Sequence, residues 1–160
     1  MRTPFDVADV STALTVAYVL HTLFAGAWVG AVLLAAWKVL PLAGDGDLGA
    51  DALASVTSGL TTLTRLGALV FVATGGHMAA TVYGSERLFG TGQGHLVLTM
   101  LTLWLVMTAL VEVGASKVRS ALGVGKVRTA ARDADAFLKA ASAVGLVLLT
   151  IGGYLVSPGL

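Results

Sequence analysis

Apolar residues gather into four long blocks, from about Ala13 to Leu40, Leu60 to Tyr83, His95 to Ala115 and Phe137 to Val156, with short polar or glycine-containing stretches between them. A helix needs about 20 such residues to cross a hydrocarbon core about 30 Å thick, and all four blocks reach that length. The pattern predicts an all-α integral membrane four-helix bundle with up-down-up-down topology. Little chain is left over, so residues 1–160 read as a single transmembrane domain with the lipid bilayer as its partner.

The punctuation agrees with this division. Asp9, Ser11 and Thr12 are candidate helix caps ahead of the first block, and Pro41 is expected to stop it. That block is far longer than a signal-peptide core and reads as a retained helix. Gly44-Asp45-Gly46-Asp47-Leu48-Gly49 is a polar turn, and the mixed pattern from Asp51 to Thr64 suggests that the second helix starts at the interface before entering lipid. Gly90-Thr91-Gly92-Gln93-Gly94 forms the next connection, Gly123-Val124-Gly125 breaks the third, and Pro158-Gly159 closes the last helix.

Composition narrows the function. Only 12% of residues are charged against 56% hydrophobic, where a soluble domain carries about 25% charged. A net charge of +1 without a basic patch excludes nucleic acid as a partner. There is no cysteine, so metal chemistry would rest on His, Met and carboxylate. No Ser-His-Asp arrangement is evident.

Charge also suggests an orientation. Lys38, Arg65, Lys117, Arg119, Lys126, Arg128, Arg132 and Lys139 fall toward one side, with only Arg2 and Arg87 on the other. The positive-inside rule makes the richer side cytoplasmic and places both termini outside a multi-pass cell-membrane protein. On that basic side Arg65 and Glu112 are placed to pair across the bundle, which satisfies two charges that would each be costly alone. Trp37, Tyr83 and Tyr154 fall where interfacial aromatic belts belong. Gly26 and Gly30 form a GxxxG pair suited to close helix approach, either within the bundle or as the seam of a homo-oligomer.

The three histidines of the chain, His21, His77 and His95, all fall toward the predicted outer side. His21 lies roughly 13 Å in along its helix, His77 a few residues from the outer end of the second, and His95 at the start of the third. An ionisable side chain at membrane depth faces the bundle interior, so His21 and His77 are expected to point inward. Small residues beside them leave space for a ligand. Met78 and Met100 lie within about a turn of histidines, and imidazole with thioether suits copper. Trp28, on the His21 face, would either stack on a flat cofactor or fill the core. His21 and His77 would equally serve as axial ligands of a b-type haem, with Trp28 beside the macrocycle and Arg87 or Arg2 near its propionates.

The stretch Leu20-His21-Thr22-Leu23-Phe24-Ala25-Gly26-Ala27-Trp28-Val29-Gly30, closed by Val39-Leu40-Pro41-Leu42, resembles the first helix of CopD-like copper-resistance membrane proteins. Thr74-Gly75-Gly76-His77 and Gly94-His95 resemble the places where such proteins carry later histidines. The resemblance implies a minimal four-helix version that binds or transports copper through His21, His77 and His95, with Met78 and Met100 as further ligands. HemJ-like haem proteins share the His and Trp pattern of the first helix, but their arginine-bearing continuation is not matched. The expectation is a copper-binding or copper-transporting protein rather than an enzyme. The alternatives are a bis-histidine haem b cytochrome or oxidoreductase and a non-catalytic accessory membrane subunit.

Overall fold

In the computed structural model, residues 4–157 are described, with side chains from Val10 onward. The expectations for Arg2 and for Pro158-Gly159 lie outside the described residues. The chain is all helical: α1 (Pro4–Leu34), a π-helical segment (Ala35–Val39), α2 (Leu40–Asp45), α3 (Ala50–Val82), α4 (Gly84–Gly90), α5 (Gly92–Leu122) and α6 (Val127–Val156). Val10–Asp45, Ala50–Val82, Gly92–Leu122 and Val127–Val156 are each long and apolar enough to span a membrane. They pack antiparallel in a ring, α1 on α3, α3 on α5, α5 on α6 and α6 back on α1. The protein is a multi-pass four-helix membrane bundle. One end, at the 46–49 and 123–126 turns, carries Lys38, Lys117, Arg119, Lys126, Arg128, Arg132 and Lys139, and the other carries the histidines; we call these the basic end and the histidine end.

All four helices outrun the apolar blocks. Asp9, Ser11 and Thr12 lie inside α1, which begins at Pro4, and Ala50 to Leu60 is regular helix. Pro41 does not stop the first span. Just ahead of it the Leu40 N–H donates to Ala35 O, five residues back, and the widened turn gives the proline ring room on the side where a regular turn would clash. Pro41 then occupies the start of α2, where its missing N–H costs nothing. The span ends at Gly46, whose φ of 97° is accessible to glycine and whose Cβ position is occupied by the Arg128 guanidinium. Arg128 Nη2 in turn donates to Asp45 O at 3.4 Å.

The core is built from small side chains. In lipid, where the hydrophobic effect does not draw helices together, close backbone approach is the main source of packing energy. α6 presents Ala130, Ala131, Ala134, Leu138, Ala141, Ser142 and Gly145 as its buried face, against Met107, Val111, Gly114, Ala115 and Val118 of α5. Gly145 is wedged where α1, α5 and α6 meet. A Cβ there would stand 3.0 Å from Val29 Cγ1 and 3.1 Å from Met107 Cε.

The exposed surface locates the bilayer. On α3 the exposed residues from Ser55 up to Arg65 are Ser55, Val56, Ser58, Gly59 and Thr62, mostly small or hydroxylated, and after it come Leu66, Leu69 and Val72. On α5 the change runs from Leu105, Val106 and Val113 to Ser116, Lys117 and Arg119. The Arg65–Glu112 pair expected from the sequence forms at this level, with Nε to Oε1 at 2.9 Å and Nη2 to Oε2 at 3.2 Å. Trp37 marks the same boundary on the first span: its Nε1 donates to Ser142 Oγ at 3.1 Å and Lys139 sits 5.3 Å from its ring centre.

Candidate functional site

His21 is half-buried on the face of α1 that meets α3. Its Nδ1 lies 2.8 Å from Thr74 Oγ1, and its ring meets Phe71 edge-on at 5.0 Å between centroids. The imidazole lies against Gly75, where a Cβ would stand 3.3 Å from Cε1 and 3.7 Å from Nδ1. The glycine creates the seat. One helical stretch further toward the basic end, Trp28 Nε1 donates to Thr64 Oγ1 at 2.9 Å, and its ring lies 5.6 Å from the same Phe71. Two aromatic nitrogens on α1 thus reach two threonines on α3, with Phe71 packed between them.

The threonines fix the direction of these bonds. An indole N–H can only donate, and Thr64 passes its own proton to Leu60 O at 2.8 Å. Thr74 does the same, its hydroxyl donating to Val70 O at 2.6 Å. The hydroxyl has one proton, so its remaining role toward His21 is as acceptor. A neutral His21 therefore carries its proton on Nδ1 and keeps a bare lone pair on Nε2, the ring nitrogen turned away from Gly75. A histidine held in this way through one nitrogen is the usual form of a metal-ligating imidazole.

The other candidates sit differently. The sequence expectation has His77 facing inward, whereas the structure places it on the exposed face of α3, along the side of Leu66, Ala73 and Ala80. The positions facing α1 at that height are taken by Thr74 and Gly75. His77 has no hydrogen-bond partner among the described residues. His95 is exposed in the first turn of α5, with Nε2–H donating to Phe89 O at 3.0 Å and Nδ1 left as its free acceptor. α5 starts tightly against α4: Thr91 Oγ1 accepts from Gly94 N at 3.1 Å, and Gly94 lies so close to the Arg87 and Leu88 carbonyls that no Cβ fits. Met78 is half-buried, and Met100 directs Cε toward Gly152 of α6. Trp28, 2% exposed, is committed to the core. Arg87 donates to Val82 O and lies 5.8 Å from the Tyr83 ring centre.

Among the described residues, no group of three or more His, Asp or Glu side chains is close enough to hold one metal ion. His21, His77 and His95 share an end of the bundle without meeting at a point. Sequence reasoning identified His21 and Trp28 but not the threonines and glycine that hold them. The available signal was spacing: His21 and Trp28 are seven residues apart on α1, and Thr64, Gly67, Phe71 and Thr74 form one stripe on α3. Comparison of the chain with protein-family models, with characterised proteins and with solved structures finds no match.

Proposed function

We propose that this membrane protein binds copper at its histidine end, as the CopD-like resemblance implies, with His21 Nε2 as the ligand held in place. The observation that supports it is the Thr74-anchored His21, whose protonated Nδ1 faces α3 and whose Nε2 is free. A small ion suits this seat better than a flat macrocycle. Haem held between His21 and His77 needs a slot between α1 and α3, and His21 rests directly on Gly75. His77, His95, Met78 and Met100 are the further ligands that the resemblance implies, and in the structure the histidines among them are not gathered with His21 at one point. In this reading the histidine end and both termini lie outside the cell membrane, which the excess of Lys and Arg at the other end supports through the positive-inside rule. Transport fits the same residues, with His95 at the interface as the entry point.

Purified protein in detergent, loaded with copper(I) under reducing conditions, is expected to retain copper in proportion to protein. His21→Ala should lose it, and Thr74→Val should weaken it by about 10- to 100-fold, the usual cost of removing the group that orients a ligand histidine. Undiminished copper in His21→Ala refutes the site. A Soret band in the same purified sample would replace copper with haem. Gly26 and Gly30 are exposed, with nothing within 4 Å of either Cβ position, so their notch is unused within the chain and is offered to a second copy. Gly30→Leu should then reduce any dimer seen by native mass spectrometry while leaving copper retention intact.

A further inference from the structure

Away from the histidines, α3 and α5 separate at the basic end around a cleft of about 520 Å³. Ala54, Thr57, Ser58, Thr61 and Arg65 line one wall and Val118, Arg119 and Leu122 the other. Two guanidiniums share one carboxylate here. Arg65 holds Glu112 through two bonds, while Arg119 Nη2 stands 3.9 Å from Glu112 Oε2, too far for a hydrogen bond. The cluster is therefore one positive charge in excess, and Arg119 keeps its donors for another acceptor. Half of the Arg119 side chain is exposed.

The cleft sits where the exposed faces of both helices change from Leu and Val to Ser, Thr and Lys, the depth of lipid headgroups. Arg65 is the lining residue nearest the histidine end, and beyond it the exposed faces of the two helices carry Leu66 and Leu69 on α3 and Val113 on α5, while Ser58 and Thr61 lie on the polar side of the cleft. An anion whose acyl tail runs on past Arg65 over these apolar faces matches both parts. Basic pockets between transmembrane helices at this depth are the general form of an anionic-lipid site, where each nearby Arg or Lys contributes about 1 kcal/mol. Arginine is the side chain best shaped to grip phosphate oxygens in pairs.

The geometry points to a binding site for the headgroup phosphate of an anionic phospholipid between α3 and α5, with Arg119 as its principal donor and Arg65 held in place by Glu112. The site is independent of copper and lies at the opposite end of the bundle. Glu112 sets its strength, because the carboxylate competes with the phosphate for the same guanidiniums.

Native mass spectrometry of the full chain from detergent, titrated separately with phosphatidylglycerol and phosphatidylcholine, tests this. Phosphatidylglycerol should be retained in preference to phosphatidylcholine. Arg119→Gln should lower phosphatidylglycerol affinity about fivefold, the equivalent of one charge contact. Glu112→Gln should raise it by a similar factor, a gain that a merely unfolded protein cannot produce. Lys117→Gln removes the same charge from a separate cleft on α5, lined by Ser116, Lys126 and Asp133, and should change affinity less than about twofold. Equal loss in Lys117→Gln and Arg119→Gln, no gain in Glu112→Gln, or displacement of the lipid by millimolar inorganic phosphate would each overturn the site.

Discussion

At the basic end, Val32, Ala36, Ala43, Val111, Ala130, Ala134 and Ala141 are sealed from any surface. At the histidine end, α5 has no buried residue from His95 to Val106, and α6 has none from Leu146 to Val156. The same two helices make the most extensive contact in the bundle, but its fully buried part lies toward the basic end. Side-chain size accounts for the difference. Alanines and glycines let α6 lie close on α5 and α2, whereas beyond Gly145 the larger Leu146, Val147 and Leu149 of α6 face outward and are exposed. At the histidine end the polar tie between α1 and α3 among the described residues is the single His21–Thr74 hydrogen bond, backed by the His21–Phe71 ring contact, and α5 touches α6 through Met100 at Gly152.

The contrast is most sharply tested with glycines. Gly145→Leu should cost at least about 3 kcal/mol or prevent folding, because Val29 and Met107 already occupy the space. Gly153→Leu, with nothing near its Cβ position, should change unfolding in detergent or bicelles by less than about 0.5 kcal/mol. Equal costs at the two positions would break the distinction between the halves.

The two threonines give a smaller effect. Thr64→Val leaves the buried Trp28 N–H without an acceptor and should cost about 1–3 kcal/mol. Thr74→Val affects a half-buried imidazole and should cost no more than about 1 kcal/mol, with its larger consequence in copper retention. A Thr74 variant as unstable as the Thr64 variant would mean that the histidine end is tied more firmly than its packing indicates.

The smallest effect is expected at Thr108, whose Oγ1 is buried with no hydrogen-bond partner among the described residues. Thr108→Val keeps the shape and removes the orphaned hydroxyl, so stability should stay level or rise by up to about 1 kcal/mol. A loss would point to a polar partner for Thr108 in the membrane.

The parts of this architecture that the sequence makes legible are those governed by transfer free energy. Four apolar blocks give four spans, and charges on neighbouring helices foretell the Arg65–Glu112 pair. Helix ends are less legible, because Ala50 to Thr64 is too rich in hydroxyls to look apolar, although it is fully helical. Pro41 misleads for a different reason: a proline is read as a stop, but one widened turn absorbs it. The inward placement of His21 follows from the cost of exposing imidazole to lipid. The same argument fails for His77, since it takes no account of which side of α3 lies against α1. Thr74 gives no sequence signal of its own, because a threonine in an apolar helix commonly satisfies itself on the carbonyl four residues back, and its second lone pair becomes useful only when another helix brings a donor.

The widened turn at Ala35–Val39 has an implication for chain length. It holds one residue more than a regular turn of the same rise, so a deletion within it would leave Leu40 and Ala43 on the same heading toward α6. That deletion would also restore a normal turn directly before Pro41, and its ring would then press on the carbonyl behind it. The proline therefore depends on the extra residue: a chain with the residue deleted and Pro41 replaced should keep the first span continuous, while one with the residue deleted and Pro41 kept should bend or break there.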